Sequence, residues 1–352
     1  MGTMPVNSFY SSPPGPCGIS IFNRHLRQAL LSFGISLFEM NLRKTWGVVR
    51  AQTSVIHYVP SAFADPEASR ALMQLLASRQ DHQRIFVILH GLHRHGEDRF
   101  QNDTICPDQE RHIQLMFNAA EAIIALSASA VGSCRSWQTR LRGRARLLRL
   151  DHPGLFAPTE NIEIRGSYAL VGGISRSKKD HKAAEIAALV NLCENRGIRV
   201  WQHWTNVSQS HSITPGWRRT SGTLTDNEWS ELVSRALVVL CPYQTRIQSV
   251  SGLISEALSA HRFVLATSFE LALEMQRRIP AWVAIEDDLD RWPYLIQQLP
   301  SSRGDVDTGV PTWEAFAKCL ALELMPNGAP SANPAKTITT FGHSCSDDWP
   351  QD

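Results

Sequence analysis

No apolar run in these 352 residues approaches the eighteen or so that a membrane-spanning helix requires. The opening MGTMPVNSFYSSPPGPCG has no basic segment leading into an apolar core, so no cleaved leader is expected. Cysteine is sparse: Cys17, Cys106, Cys134, Cys193, Cys241, Cys319 and Cys345 are odd in number, scattered and without a CxxC pair. That pattern argues against a disulfide framework and a structural zinc site, and the thiols are expected to be reduced and mostly buried. No internal repeat is visible. The formal charge of +2 names no partner, but the charge is uneven, because CRSWQTRLRGRARLLRL (134–150) holds six arginines and no acid. What remains is the composition of a globular, cytoplasmic chain, long enough for two domains of ordinary size.

Strand-like and helical runs alternate along the first part. Gly18–Phe33 reads as helix, SVIHYV (54–59) as strand, and Asp65–Ser78 as helix with proline in its first turn. RIFVIL (84–89) and AIIAL (122–126) read as further buried strands. The pattern restarts after DHPGLFAPTENIEIRG (151–166), with strand at 168–171, helix at 180–195 closed by Gly197, strand at 198–201 and helix near 226–234. ALVVL (236–240) and FVLA (263–266) are strands of the kind buried on both faces of a parallel sheet. The expected architecture is α/β: an N-terminal domain 1–160, a second domain 161–325 whose last helix (about 311–325) packs back toward the first, and a disordered polar tail 326–352.

Between those last two strands lies QSVSGLISEALSA (248–260). A helix opening at Ser251-Gly252 lets a ligand approach bare backbone N–H groups, and the helix dipole favours an anion there. Glu256, four residues after Gly252, falls on the same face one turn in, where it can accept hydrogen bonds from a ribose diol while the Ser251-Gly252 amides hold phosphate. The implied shape is a nucleoside diphosphate. The bland reading of the same residues is an ordinary helix with a serine cap and an exposed glutamate. VGGISRSKK (171–179) places Arg176, Lys178 and Lys179 before a second helix, from which they can neutralise a diphosphate on its other side, although basic residues in a surface loop are usually just solvated.

Taken in order, GPCGISIFNRHLRQAL (15–30), SVIHYVP (54–60), FVILHGLH (86–93), IIALSASAVGSCRSW (123–137), RLLRLDHPGLFAP (146–158), VGGISRSKK and LVVLCPYQTRIQSVSGLISEAL (237–258) resemble the two-domain GT-B glycosyltransferases, most nearly the retaining glycosyltransferase family 4. The resemblance runs from Gly15 to about Leu324. It implies two Rossmann-like domains facing across a cleft, a nucleotide-sugar donor on the second and an acceptor on the first. It also implies that Gly18 admits the donor and acceptor past the first loop, that Lys178 and Arg176 meet the diphosphate with the Ser251–Leu253 turn, and that Glu256 holds the ribose. His90 and Gln248 are the residues expected to contact the transferred sugar. No cofactor is implied, and no metal is needed where a helix and a lysine neutralise the leaving group.

Two positions depart from the family pattern. Gln248 stands where a glutamate is common, and Gly173 where an arginine is common. Gln248 can hold a hydroxyl but cannot stabilise developing positive charge, and the lost arginine weakens diphosphate binding unless Arg176 or Lys179 substitutes. These departures keep open a non-catalytic GT-B protein that binds sugar nucleotide or a partner, and a sugar-nucleotide 2-epimerase. His90, His93 and His95 could suggest zinc, but no nearby cysteine or well-spaced acid completes a tetrahedral set. EDDLD (286–290) is better read as charge bias at a helix start than as a metal motif. Arg135–Arg149, spread over a helix, could rest on anionic lipid and suit a lipid-linked glycan acceptor, or be a solvated face. Lacking aromatic interleaving, it suggests no nucleic-acid partner.

Overall fold

The computed structural model describes residues 4–10, 18–41, 52–63, 65–80, 82–90, 92, 108–155, 167–173, 183–204, 218–244, 250–300 and 308–325. The first half runs β1 (Met4–Tyr10), α1 (Gly18–Leu31), β2 (Ile35–Asn41), β3 (Thr53–Tyr58), α2 (Pro66–Ala77), β4 (Arg84–Leu89), α3 (Gln109–Ala119), β5 (Ala122–Ala125), α4 (Ala128–Leu141) and β6 (Arg146–Arg149). The second runs β7 (Tyr168–Gly173), α5 (Ala183–Asn195), β8 (Val200–Trp204), β9 (Arg218–Ser221), α6 (Asp226–Ser234), β10 (Ala236–Cys241), α7 (Gly252–Ser259), β11 (Phe263–Ala266), α8 (Glu270–Arg278), β12 (Val283–Ile285), α9 (Trp292–Gln297) and α10 (Trp313–Leu324).

The local chemistry explains these elements. RIFVIL gives β4, buried at every position after Arg84. Asp65 caps α2 by accepting from the N–H groups of Glu67 and Ala68, with Pro66 in the first turn where its missing N–H costs nothing. Thr225 and Glu228 form a reciprocal capping box on α6.

Strands pair in parallel throughout, in the orders β2-β1-β3-β4-β5-β6 and β12-β11-β10-β7-β8-β9. Parallel sheets need apolar cover on both faces. On the first sheet, Ile56, Val87 and Leu89 pack with Leu72, Leu76, Ile113 and Met116 of α2 and α3. Its other face packs Val55, Phe86 and Ile88 against Phe22, Leu26 and Leu30 of α1 and Phe316 and Leu320 of α10. In the second half, α7 and α8 cover one face and α5 and α9 the other.

Although last among the described elements, α10 thus belongs to the packing of the first sheet. Arg84 fixes its end: the guanidinium donates to the carbonyls of Glu323, Leu324 and Met325 while holding both oxygens of Glu121 at 2.7 Å. The expected division at 160/161 falls in 156–166, outside the described residues, as does the tail 326–352.

Two expectations are corrected. The arginine stretch is not one helix: Arg135 and Arg140 lie on α4, Arg142 ends it in the left-handed conformation (φ 52), and Arg146 and Arg149 bound the edge strand β6. The glycines of VGG do not form a turn either, since both lie in β7. Gly172 adopts φ 150, with its α-carbon so close to the His203 backbone that a side chain would collide.

Candidate functional site

Parallel α/β sheets bind ligands beyond the carboxyl ends of their strands, where the strand order reverses. In the second sheet that point lies between β7 and β10, the strands that follow each other in space but not in sequence. β10 leads into α7, so the mouth of α7 stands at the switch point.

Ser251 occupies the N-cap position with extended backbone (φ −146, ψ 111), yet its side chain makes no capping hydrogen bond. The hydroxyl lies instead 3.4 Å from the Tyr243 hydroxyl. The first-turn N–H groups of a helix have no partner within it, and here the usual side-chain substitute is turned away. Gly252 adds no side chain over them. Leu253 packs its side chain against the core, leaving only its backbone amide for the mouth. A Cβ built on Gly252 would lie 3.8 Å from Glu256 Oε1, so glycine and carboxylate share one helix face.

Glu256 is held from α6. The indole Nε1–H of Trp229 donates to Glu256 Oε2 at 2.6 Å. Burial pushes the Glu256 carboxyl up to about 7; the indole bond opposes this and the charge of nearby Asp226 adds to it.

The first half supplies the facing wall. His152, on the connection after β6, presents its ring to the α7 mouth: the built Cβ of Gly252 would lie 3.6 Å from His152 Cε1 and 3.9 Å from Nε2. Its Nδ1–H donates to the Pro153 carbonyl at 2.8 Å, which leaves Nε2 as an acceptor. Burial lowers the imidazole to about 4, so the ring is neutral at pH 7.

The connection is pinned around that ring. His152 N–H donates to the Leu126 carbonyl and Gly154 N–H to the Pro311 carbonyl. Gly154 lies so close to Ser255 and Ser259 of α7 that a built Cβ would stand 2.8 Å from the Ser255 carbonyl oxygen. Phe22 of α1 packs at ring-centroid distances of 5.3 Å from His152, 4.6 Å from His90 and 4.9 Å from Trp313. His90 lies just beyond β4, half-buried, with its N–H bonded to the Tyr58 carbonyl. Its neighbour His57, 5.9 Å away between ring centroids, is wholly buried; neither ring nitrogen has a hydrogen-bond partner among the described residues, and burial lowers it to about 3.

Side chains from both halves also lock the sheets together. Glu274 of α8 caps α4, accepting from the N–H groups of Ala128 (3.0 Å) and Ser129 (2.9 Å) and from the Ser129 hydroxyl (2.9 Å). Arg149 bridges Glu274 and Asp151, and Arg278 also holds Asp151. Arg24 and His25 of α1 reach Asp226 at the start of α6.

Of the residues expected to form the site, the structure brings Ser251, Gly252, Leu253 and Glu256 to one helix mouth, puts His90 behind Phe22, and starts α1 at Gly18. Arg176, Lys178, Lys179, Gln248, His93 and His95 lie outside the described residues. His152 and Trp229 were missed. The only sequence signal for His152 is a histidine inside the Asp-His-Pro-Gly connector, and Trp229 carries none beyond its place next to a capping box.

EDDLD turns out to be structural: Asp287 accepts from Ser268, Asp288 caps the short turn 289–291, and Glu286 pairs with Arg291. Among the described residues no group of three or more His, Cys, Asp or Glu side chains could hold a metal ion. No described helix is long and apolar enough to cross a membrane. Three of the six arginines in the stretch are engaged, with Arg140 on Glu110, Arg146 on Glu121 and Glu323, and Arg149 on Asp151 and Glu274.

Two parallel sheets, a switch-point helix mouth and a wall from the other half invite comparison with solved proteins. An alpha-glucosyltransferase in complex with UDP and a 13-mer DNA containing a HMU base superposes over 92% of this chain and 96% of its own, with a TM-score of 0.56 and 11% identity. The fold is GT-B. A structure of alpha-glucosyltransferase with UDP-glucose and DNA containing an abasic site gives 0.52 over 92% and 95% at 11% identity. TarM gives 0.50 at 10% identity over 78% of this chain, which spans only 51% of TarM. At such identities the likeness establishes the GT-B fold and leaves family 4 membership open. No protein-family profile matches the chain. Nor does any curated protein match it by sequence. The expectation that nucleic acid plays no part finds no support among these neighbours, two of which hold DNA.

Proposed function

We propose that this chain is a glycosyltransferase that takes a nucleoside-diphosphate sugar at the α7 mouth and passes the sugar to an acceptor held by the first half. The observation that carries the reading is the helix mouth itself: among the described residues the Ser251 side chain makes no capping hydrogen bond, Gly252 puts no side chain over the first-turn amides, and Glu256 lies one turn in, at the switch point of a GT-B second domain. The amides of Gly252 and Leu253 hold the diphosphate with Lys178 and Arg176, Glu256 receives the ribose, and Gln248 and His90 contact the sugar. The bond from the anomeric carbon to the diphosphate breaks, the bond to the acceptor oxygen forms on the same face, and the acceptor proton leaves with the departing phosphate oxygen. Helix dipole and lysine charge supply the neutralisation, so the reaction as proposed uses neither metal nor cofactor.

For the acceptor we favour a lipid-linked glycan in polysaccharide or glycoconjugate synthesis, reached from the cytoplasmic face of a membrane. Arg135, Arg142 and Arg144, exposed and without an ion pair among the described residues, are the contacts left for anionic lipid. Gln248 and Gly173 favour a second reading, a sugar-nucleotide-binding protein without transfer.

Calorimetry with UDP, GDP and ADP, followed by incubation of the matching sugar nucleotides with lipid-linked glycan, free glycan and DNA, separates these. Transfer to the lipid-linked acceptor is the expected result. Binding without transfer or epimerised product supports the second reading, epimerisation without acceptor indicates a 2-epimerase, and absence of nucleotide binding refutes all three.

A further inference from the structure

The bond from Trp229 to Glu256 does more than join α6 to α7. Glu256 has two carboxylate oxygens: Oε2 is engaged by the indole at 2.6 Å, and Oε1 lies 3.8 Å from where a Cβ on Gly252 would stand, across from the His152 ring. We propose that Trp229 is a positioning residue for the nucleotide site, its indole N–H fixing Glu256 so that Oε1 is presented to the 2′-hydroxyl of a bound ribose. This rests on the reading of the α7 mouth as a nucleoside-diphosphate site and assigns that site its selectivity for ribose over deoxyribose.

The indole is placed deliberately. The Thr225 hydroxyl accepts from Glu228 N–H at 3.3 Å, and Glu228 Oε2 accepts from Thr225 N–H at 2.8 Å and its hydroxyl at 2.7 Å. Trp229 N–H then donates to the Thr225 carbonyl at 2.9 Å, so the tryptophan leaves α6 at an angle fixed by the box. Its ring is half-buried, packed on the core of the second half and 6.0 Å from the His203 ring. A phenylalanine could fill that place; the N–H serves Glu256.

The groups facing the carboxylate are Asp226 from α6, itself paired with Arg24 of α1 and 3.6 Å from His25, His152 from the connection after β6, and His203 of β8 behind the indole. Asp226 and burial both disfavour the carboxylate charge, and the indole is the group that opposes them. Removing the N–H therefore both frees the side chain to rotate and shifts it toward its protonated form, which accepts a ribose hydroxyl less well.

The test compares whichever of UDP, GDP and ADP binds with its 2′-deoxy counterpart, by calorimetry on the full chain at pH 8. The unmodified protein should prefer the ribonucleotide by about tenfold or more, the worth of a hydrogen bond to a charged group. Trp229→Phe and Glu256→Gln should each lose most of that preference while binding the deoxynucleotide as before, and the double variant should lose no more than either alone. A second measurement needs no change at Trp229: the indole N–H resonance of the ligand-free protein should move with pH around 7 and stay fixed in Glu256→Gln. Preference retained in Trp229→Phe, equal loss for both nucleotides, or an indole resonance indifferent to pH overturns the assignment. If the unmodified protein binds no nucleoside diphosphate, the nucleotide reading falls and the assignment with it.

Discussion

Replacing Glu256 by glutamine should stabilise the ligand-free protein at alkaline pH and weaken its hold on nucleotide. Burial raises the carboxyl from an ordinary value of 4.5 to about 7. The folded protein thus binds a proton at Glu256 between those values while the unfolded chain has released it. A group raised in this way contributes stability that is complete below the unfolded value and lost as pH rises through the folded one. At 1.36 kcal/mol per unit, the loss between pH 4.5 and pH 7 is about 3 kcal/mol. Glutamine stays neutral and can still accept the indole N–H, so Glu256→Gln should match the parent near pH 4.5 and exceed it by up to about 3 kcal/mol above pH 7, a difference of about 6–12 °C in melting temperature for a domain of about 150–250 residues. His57 and His152 act in the opposite direction: burial lowers them to about 3 and about 4, so they withdraw stability as pH falls below 6.5. Both proteins carry them, and the difference between the two melting curves cancels their effect. Differential scanning across pH 4.5–8.5 reads it, and parallel curves for parent and variant would refute the buried, proton-binding carboxylate.

Gly252→Ala meets His152 Cε1 at 3.6 Å and Glu256 Oε1 at 3.8 Å, ordinary contacts, so melting should be unchanged while the methyl covers the α7 amides and cuts nucleoside-diphosphate affinity at least about tenfold; intact affinity by calorimetry would move the phosphate elsewhere. Gly154→Ala puts its methyl 2.8 Å from the Ser255 carbonyl oxygen and should destabilise the protein by about 1–3 kcal/mol in urea titration, an undiminished midpoint counting against the close packing of the connection on α7. Glu274→Ala removes the acceptor of the Ala128 and Ser129 N–H groups, while Ser127 still caps α4 and Arg149 keeps Asp151, at a cost of about 1–3 kcal/mol or separate melting of the two halves; a single unshifted transition would show that the clamp does not couple them. Arg135, Arg142 and Arg144 changed together to glutamine should abolish any co-sedimentation with anionic vesicles at low salt, and binding that survives the change would require another surface.

What the sequence disclosed and what it hid divide along physical lines. The strands at 84–89 and 263–266 lie where continuous apolar runs put them, because that signal is local, and the helix expected near 226–234 starts at the Thr225–Glu228 capping box. β1 escaped because its MPVNSFY turns polar groups inward: Ser8 is wholly buried and donates to Asn23 of α1, which in turn donates to Glu39 of β2. β6 escaped because its arginines resemble a solvated face until Glu121, Glu323, Asp151 and Glu274 arrive from other parts of the chain to pair with them.

The candidate site divides in the same way. The α7 mouth was readable because Ser251, Gly252 and Glu256 lie within six consecutive residues, and helix periodicity alone sets their mutual geometry. His152 and Trp229 meet that mouth only once the connection after β6 has bonded back to Leu126 and α6 has turned its indole onto α7. A histidine beside proline and a tryptophan on an amphipathic helix are common enough in a sequence to pass unremarked. Their significance here comes from two residues, 152 and 229, bracketing one glycine and one carboxylate, an arrangement that no periodicity in the chain encodes. The groups that set the state of Glu256 are thus non-local even though Glu256 itself is not, so substitutions at 152, 226 or 229 should alter nucleotide recognition while leaving the readable motif intact.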